Sequence, residues 1–163
     1  MNIPSLIKKL IARQDLTEDE SFAAITAMLS GTFTEGQIGA YLATLSAKGE
    51  TIAEIVGAAR AMRAAATRVQ SLTPNTLDTV GTGGDGGITF NISTTVAFVA
   101  AGAGATVAKH GNRASSGKSG SADCLECLGF NLNAAPELME QALNEIGITF
   151  MFAPSFHKAM RFA

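Results

Sequence analysis

The stretch that decides the fold reads GTGGDGGITFNIST and spans residues 81–94. Glycine loses more backbone entropy on folding than any other residue, so a dense glycine cluster indicates a backbone that something must approach closely. The residues before the cluster predict a short buried strand over 77–80, and the hydroxylated residues 93–95 predict the N-cap of a helix. A strand, a glycine loop and a helix N-terminus in succession favour the binding of an anion such as phosphate.

Two common phosphate-binding motifs do not fit this stretch. It lacks the GKS or GKT ending of the nucleotide P-loop, and its glycine spacing differs from GxGxxG. A surface loop that only joins a strand to a helix stays open as an alternative. The stretch therefore predicts an anion site of a different kind from those of ordinary ATPases and dinucleotide-binding enzymes.

Up to about residue 70 the sequence is helical throughout, with apolar residues recurring at helical spacing in four segments. Thr17, Thr34 and Thr51 each stand at a capping-box position, which predicts the start of a helix. Gly31 and Gly49 stand where two of these helices are expected to end. The first part of the chain, residues 1–72, is therefore predicted to be a small helical domain.

From about residue 72 onward, short β-branched runs alternate with helical segments. Strands are predicted at 77–80, 105–109 and 148–152, and helices at 94–102, 120–128 and 135–146. This alternation predicts a parallel sheet with crossover helices. Residues 73–163 are thus interpreted as the first part of a larger α/β domain, joined to the helical domain through SLTPNT.

Composition narrows the function classes. The chain has 163 residues and a net charge of −2, so a nucleic-acid or anionic-membrane partner gains no general electrostatic support. No apolar run approaches the roughly 20 residues of a membrane span. The first residues lack the pattern of a secretory signal, which makes the cytoplasm the expected location. Cys124 and Cys127 are interpreted as small core residues, not as metal ligands.

A second polar segment, KHGNRASSGKSGSAD at residues 109–123, follows the second predicted strand. Ligands of open parallel sheets lie outside the carboxyl ends of the strands, so this segment and residues 81–94 are expected to border one pocket. The first segment offers backbone N–H groups and Asp85, and the second offers cations and hydroxyls that suit phosphate oxygens. A merely solvated loop stays open as the alternative.

The motifs GTGGD, FNIST and KHGNRASSGKSGSADCLECLG together resemble those of the anthranilate phosphoribosyltransferase family, and the helical half and the closing FMFAPSFHKAMR are also similar. The resemblance implies transfer of the 5-phosphoribosyl group of phosphoribosyl pyrophosphate (PRPP) to the amino nitrogen of anthranilate, in tryptophan biosynthesis. It implies Mg²⁺ as the cofactor, pyrophosphate as the second product, a phosphoribosyltransferase-like fold that resembles the nucleoside phosphorylases, and a homodimer.

The resemblance also implies the residues of the site, without a catalytic acid or base, since such an enzyme would mainly position its substrates. Ser93 is implied as a ligand of Mg²⁺. The implied contacts to anthranilate are Gly81, His110, Asn112 and His157. The implied contacts to PRPP are Gly81, Gly84, Asp85, Thr89, Asn91, Ile92, Ser93, Thr94, Lys109, His110, Gly111, Asn112, Arg113, Ala114, Ser115, Ser116, Gly117 and Ser121.

Members of that family are longer than this chain, so the chain is expected to be an amino-terminal fragment that is inactive alone. The remaining part would supply an Asp-Glu pair for Mg²⁺ and an arginine for the anthranilate carboxylate. Two other functions stay open. One is a pyrimidine nucleoside phosphorylase, whose loop resembles KHSTGGVGD where this chain has KHGNRASS. The other is a non-catalytic nucleic-acid-binding relative, which the net charge of −2 disfavours.

Overall fold

The computed structural model describes residues 2–81, 90–114 and 119–162. The chain divides into two compact units, one formed by Met1–Ala66 together with His157–Ala163 and the other by Thr67–Phe156. Thr67 and Phe156, the first and last residues of the second unit, are joined by a 2.8 Å hydrogen bond from the Thr67 N–H to the Phe156 carbonyl oxygen. The domain boundary expected between residues 72 and 73 stays a prediction.

The first unit begins with four helices, α1 at Ile3–Ile11, α2 at Glu18–Leu29, α3 at Glu35–Lys48 and α4 at Ile52–Ala65. The capping boxes expected at Thr17, Thr34 and Thr51 are all present. Each threonine hydroxyl accepts the N–H three residues later, and the side chain of that later residue accepts the threonine N–H. Because each box satisfies two otherwise unpaired donors, these three helices start where the sequence predicts.

The core of this unit is apolar and closely packed. Tyr41 is fully buried and meets Phe33 edge to face, with ring centroids 6.2 Å apart. Helices α2 and α4 approach each other at Gly57, where an added Cβ would overlap the Glu18 carbonyl oxygen and lie 2.9 Å from the Phe22 nitrogen. Glycine is therefore the residue that lets these two helix backbones meet. The buried apolar residues of the cluster are Leu6, Leu10, Leu16, Ala24, Met28, Phe33 and Tyr41.

Glu54, at the start of α4, is buried in the same unit. One of its oxygens accepts the Leu16 N–H at 2.8 Å, and the other accepts the Thr51 N–H at 2.8 Å and the Lys48 Nζ at 3.0 Å. Burial alone would raise the pKa of Glu54, but these donors outweigh burial and lower it. The carboxylate thus joins the connection before α2, the end of α3 and the start of α4.

The second unit contains a parallel sheet of three strands in the order β1-β2-β3, with β1 at Thr76–Leu77, β2 at Thr106–Gly111 and β3 at Ile148–Phe152. Val107 pairs with Leu77 on one side and with Ile148 on the other. The connecting helices are α5 at Ile92–Gly102, α6 at Ser121–Cys127 and α7 at Pro136–Ile146, and the short helix α8 at Ala153–Phe156 follows β3. The predicted fold class, a helical domain followed by a parallel-sheet α/β domain, is confirmed.

The short buried strand expected at 77–80 is wrong in its bounds and in its burial, because the strand comprises only Thr76 and Leu77 and both residues are exposed. Beyond that point the His110 N–H donates to the side-chain oxygen of Asp78 at 3.1 Å, and the Thr79 carbonyl accepts the Lys109 Nζ. Side chains therefore take the places that backbone partners would have in a continuing ladder.

Two further expectations about this unit need correction. Helix α5 begins at Ile92 with Asn91 as its N-cap residue, and no side chain caps it, so the hydroxyl cap expected from residues 93–95 is wrong. Cys127 is exposed and Cys124 is only half-buried. They are not core residues because the buried residues of α6 are Ala122 and Leu125.

Apolar side chains remain exposed on the second unit, above all on and just before α5. Within the described residues, no helix combines the length and apolar character needed to cross a bilayer.

The first unit also contains a 3-10 helix, Lys158–Phe162. Its Phe162 ring lies against Gly31, where an added Cβ would come within 3.2 Å of the ring.

Candidate functional site

Lys109, near the end of β2, is almost completely buried. Its ammonium donates to the Thr79 carbonyl oxygen and lies 3.4 Å from the Ser93 hydroxyl oxygen. The Thr79 hydroxyl in turn donates to the Ser93 carbonyl at 2.8 Å. Burial lowers the pKa of Lys109, and the negative charge of Asp78 opposes that shift. One buried cation therefore joins the carboxyl end of β2, the chain after β1 and the first turn of α5.

Asn91 connects the two segments that the sequence assigns to a single pocket. Its side-chain amide donates to the Ser119 hydroxyl at 3.3 Å and to the Gly120 carbonyl at 3.4 Å. Ser119 and Gly120 lie just before α6, whereas Asn91 lies just before α5. The described ends of the two segments are thus within hydrogen-bonding distance of each other.

Arg113 follows β2 and is held by two carboxylates. It donates two hydrogen bonds to Glu126, at 2.7 and 2.9 Å, and one to Asp123 at 3.0 Å. Glu126 and then Asp123 raise the pKa of the guanidinium, and Arg113 in turn lowers the pKa of the Glu126 carboxyl. The pKa of the Asp123 carboxyl is lowered by the N–H groups of Ala114 and Gly120 and then by Arg113. The guanidinium also lies over the ring of Phe152, 5.8 Å from its centroid.

Two glycines allow the backbone to close up around this segment. An added Cβ at Gly111 would overlap the Ser121 hydroxyl and lie 2.9 Å from the Phe150 ring. An added Cβ at Gly120 would overlap the Ala114 nitrogen and lie 2.5 Å from the Arg113 carbonyl carbon. The chain before residue 115 and the chain after residue 118 therefore lie directly against each other.

The described residues of the expected PRPP site vary in exposure. Five of them are exposed, namely Gly81, Ile92, Asn112, Arg113 and Ala114. Thr94 is buried, and its hydroxyl has no hydrogen-bond partner in the described part of the chain. The Asn112 carbonyl accepts the Ser121 hydroxyl at 3.3 Å. The expected site residues Gly84, Asp85, Thr89, Ser115, Ser116 and Gly117 lie outside the described residues.

His157, an expected contact to anthranilate, belongs to the first unit. It lines a small pocket there, between residues of α2 and α4 and the 3-10 helix. The other side chains that line this pocket are mostly apolar: Leu29, Met62, Ala65, Ala159 and Met160.

Sequence reasoning missed Asp78, Thr79, Asp123 and Glu126. Asp78 and Thr79 were assigned only to a strand. The signal for the other two was available, because Asp123 and Glu126 are three residues apart, a spacing that puts both carboxylates on one face of a helix directly after a basic segment. They therefore suit a role as partners for Arg113.

The residues around Ser93 do not by themselves fit a Mg²⁺ ion. Mg²⁺ prefers carboxylate, phosphate and water oxygens, yet the charged group nearest to the Ser93 hydroxyl in the described structure is the ammonium of Lys109. Across residues 2–81, 90–114 and 119–162, no cluster of three or more histidine, cysteine, aspartate or glutamate side chains is arranged to hold a metal.

Comparison with known families covers nearly the whole chain. Residues 73–163 match the a/b domain of a glycosyl transferase family, and residues 4–66 match the helical bundle domain of the same family. The chain belongs to this glycosyl transferase family. Among its curated relatives, an anthranilate phosphoribosyltransferase of Desulfosudis oleivorans is 57% identical over 157 residues, which is 96% of this chain and 46% of the relative.

Solved structures of the family have the same fold. The anthranilate phosphoribosyltransferase of Thermus thermophilus is 45% identical, with a TM-score of 0.90 over 97% of this chain and 48% of that one. The enzyme of Saccharomyces cerevisiae, solved in complex with PRPP and Mg, is 29% identical, with a TM-score of 0.87 over 98% of this chain and 48% of that one. The chain spans about half the length of the relatives it matches.

Proposed function

We propose that the protein containing this chain transfers the 5-phosphoribosyl group of PRPP to anthranilate, giving N-(5-phosphoribosyl)anthranilate and pyrophosphate. The curated relatives with this activity in their names support the proposal, and so does the yeast structure with PRPP and Mg. The pyrimidine nucleoside phosphorylase and the nucleic-acid-binding relative are disfavoured, because the relatives described above are all anthranilate phosphoribosyltransferases.

The reaction breaks the bond between ribose C1 and the diphosphate oxygen and forms a bond between C1 and the amino nitrogen, which then releases one proton. Negative charge grows on the departing diphosphate, so stabilising that charge lowers the barrier. In this proposal, backbone N–H groups and the cations of residues 109–113 bind the diphosphate, and Asn112, His110 and His157 contact anthranilate. Holding both reactants close together and in the orientation that the reaction needs supplies much of the rate acceleration.

The observation that carries the proposal is the position of Lys109. Its ammonium lies where the chain after β1 meets the first turn of α5, at the carboxyl end of the parallel sheet. Ligands of such sheets bind at that edge, and a helix N-terminus adds partial positive charge there. A cation at this edge of the sheet fits a diphosphate better than it fits a neutral ligand.

Mg²⁺, the homodimer and the cytoplasm belong to the proposal as predictions. Since the described residues around Ser93 do not complete a metal site, further oxygen ligands for Mg²⁺ are expected from the substrate and from other parts of the protein. Exposed apolar side chains on α4, including Ile52 and Ile55, support a homodimer. No step of the reaction above is derived through the metal.

Calorimetric titration separates the candidate functions. We expect the longest natural polypeptide containing these residues to bind PRPP in the presence of Mg²⁺, to convert anthranilate, and to bind neither thymidine nor single-stranded DNA. Phosphate-dependent cleavage of thymidine would replace the proposal with the phosphorylase. Binding of single-stranded DNA without turnover would replace it with the nucleic-acid-binding relative.

A further inference from the structure

The Asp78 carboxylate holds the end of β2 beyond the point where the ladder with β1 ends. The last pair of that ladder is Leu77 and Val107. The Val107 N–H donates to the Gly147 carbonyl, on the side of β3. Because successive N–H groups of a central strand point to opposite sides, the His110 N–H points toward the chain after β1. There Asp78 Oδ1 accepts it at 3.1 Å, so a side chain takes the place of a backbone carbonyl.

Thr79, the next residue along the chain, makes the contacts that hold the ammonium of Lys109. Its carbonyl oxygen accepts the Lys109 Nζ, and its hydroxyl donates to the Ser93 carbonyl at 2.8 Å. The same Nζ lies 3.4 Å from the Ser93 hydroxyl oxygen. The three residues therefore form a closed set of contacts, and a shift of Thr79 relative to β2 would take its carbonyl away from the ammonium.

The bond of Asp78 limits such a shift. Asp78 bonds to His110 and Thr79 bonds to Lys109, so two neighbouring residues after β1 bond to two neighbouring residues of β2. Consecutive Cα atoms are about 3.8 Å apart, which places the two contacts side by side. Without the first bond, the chain after Leu77 could separate from β2, and the Thr79 carbonyl would move with it.

We propose that Asp78 is a positioning residue for the binding of PRPP and that it acts through Lys109. By holding the chain after β1 against His110, Asp78 places the Thr79 carbonyl where it keeps the Lys109 ammonium beside the first turn of α5. The inference rests on the proposed function, in which Lys109 binds the diphosphate. It adds to that site a residue that does not itself contact substrate.

The charge of Asp78 allows positioning to be separated from electrostatics. Burial lowers the pKa of Lys109 and the negative charge of Asp78 opposes that shift, so the carboxylate acts on the ammonium through space. The same charge would repel a diphosphate bound at Lys109. Loss of the charge alone should therefore leave the affinity for PRPP unchanged or increase it, whereas loss of the hydrogen bond to His110 should decrease it.

The test uses the longest natural polypeptide that contains these residues. Asp78→Ala removes both the charge and the acceptor for the His110 N–H, and Asp78→Asn removes the charge but keeps an oxygen for that N–H. Glu140→Ala is the matched control, because Glu140 Oε2 accepts the Gln70 N–H at 3.0 Å elsewhere in the second unit. Each variant is assayed for the Kd of PRPP in the absence of anthranilate, for kcat, for both KM values and for Tm.

We expect Asp78→Ala to raise the Kd of PRPP about tenfold, because the ammonium loses its fixed place beside α5. Asp78→Asn should have the wild-type Kd or a lower one, since the hydrogen bond remains and the repulsion is gone. Glu140→Ala should stay within about twofold of the wild-type Kd, even where its Tm falls.

A double-mutant cycle tests the route through Lys109. Lys109→Met removes the ammonium and keeps an unbranched side chain in the buried space. In that background Asp78→Ala should change the Kd of PRPP by less than about twofold, because the group that it positions is already absent. A purely structural role of Asp78 would give the same loss of affinity in both backgrounds.

The inference is overturned if Asp78→Ala binds PRPP as tightly as the wild type or more tightly, since the charge alone then accounts for the result. It is also overturned if Asp78→Asn loses as much affinity as Asp78→Ala, or if the losses from Asp78→Ala and Lys109→Met multiply. If Lys109→Met binds PRPP too weakly to measure, the comparison of Asp78→Ala with Asp78→Asn decides.

A further variant covers the case in which Asp78→Ala does not fold. Asp78→Glu keeps the charge and moves the acceptor by one methylene group, so it should raise the Kd of PRPP, and a wild-type Kd would overturn the inference. A wild-type protein that fails to bind PRPP removes the proposed function first, which keeps the two failures distinguishable.

Discussion

Lys48 and Glu54 form an ion pair in which both side chains are almost completely buried, with Nζ 3.0 Å from Oε2. Removing two charges from water costs several kcal/mol, and their mutual attraction offsets that cost only when the remaining hydrogen-bonding capacity is also satisfied. Here it is satisfied, because the N–H groups of Leu16 and Thr51 donate to the same carboxylate, and Lys48 also donates to Asp15 at 2.8 Å. This pair links the end of α3 and the start of α4 to the connection before α2.

Glu54→Gln should lower the free energy of unfolding by about 3 kcal/mol, because the amide leaves the buried ammonium of Lys48 with only the exposed carboxylate of Asp15 as a counter-charge and offers a single oxygen to several donors. Urea unfolding followed by circular dichroism measures the loss. Glu50→Gln is the matched control, because Glu50 is exposed in the connection between α3 and α4. It should change the free energy of unfolding by less than about 0.5 kcal/mol. Equal losses in the two variants would show that the buried pair contributes nothing specific.

The contribution of the Glu54 carboxylate to stability should also depend on pH. Folding lowers the pKa of Glu54 from its ordinary value of 4.5, so its contribution is complete above that value and is lost as the pH falls through the lower folded-state pKa. The difference in Tm between the wild type and Glu54→Gln should therefore be constant near neutral pH and shrink below pH 4.5. A difference that grows on acidification would contradict the assigned sign.

Gly57→Ala should destabilise the first unit by about 1 to 3 kcal/mol, because the added methyl group overlaps the backbone of α2. Gly39→Ala supplies the matched control, since Gly39 lies within α3 and an added Cβ there meets nothing within 4 Å. That substitution should stabilise the helix by up to about 1 kcal/mol. Thermal unfolding of both variants checks the opposite signs.

The two substrates should respond differently to substitutions near the end of β2. Lys109→Ala removes the ammonium that joins Thr79 to Ser93, so it should raise the KM of PRPP more than that of anthranilate. Asn112→Ala should do the reverse, because Asn112 is assigned to anthranilate. Steady-state kinetics with each substrate varied in turn test the assignment, and equal effects in both variants would show that the pocket is divided wrongly.

Local signals in the sequence predicted the helix starts well, because a capping box depends on residues three positions apart. Thr17, Thr34 and Thr51 could be read without knowledge of the fold. The alternation of strands and helices likewise depends on local patterns, and it predicted the parallel sheet. The early start of α5 was missed because Asn91 uses its side chain on residues 119 and 120, which are distant in sequence.

Long-range pairing explains the other misses. The burial of Glu54 depends on Leu16 and Lys48 meeting at one carboxylate, and its place in a capping box gives no sign of this. The strand after residue 75 stops early because Asp78 and Thr79 bond to His110 and Lys109. Asp123 acts on Ala114, nine residues away, through a backbone N–H that no sequence motif marks.

The return of the chain to the first unit has a consequence for protein synthesis. Helices α1 to α4 leave the ribosome early, but the 3-10 helix whose Phe162 ring lies against Gly31 is translated only after the whole of Thr67–Phe156. Until then the nascent first unit exposes the surface around Gly31 that this ring covers. The hydrogen bond between Thr67 and Phe156 joins the first and last residues of the second unit once both have been translated, and only then can the first unit acquire this 3-10 helix.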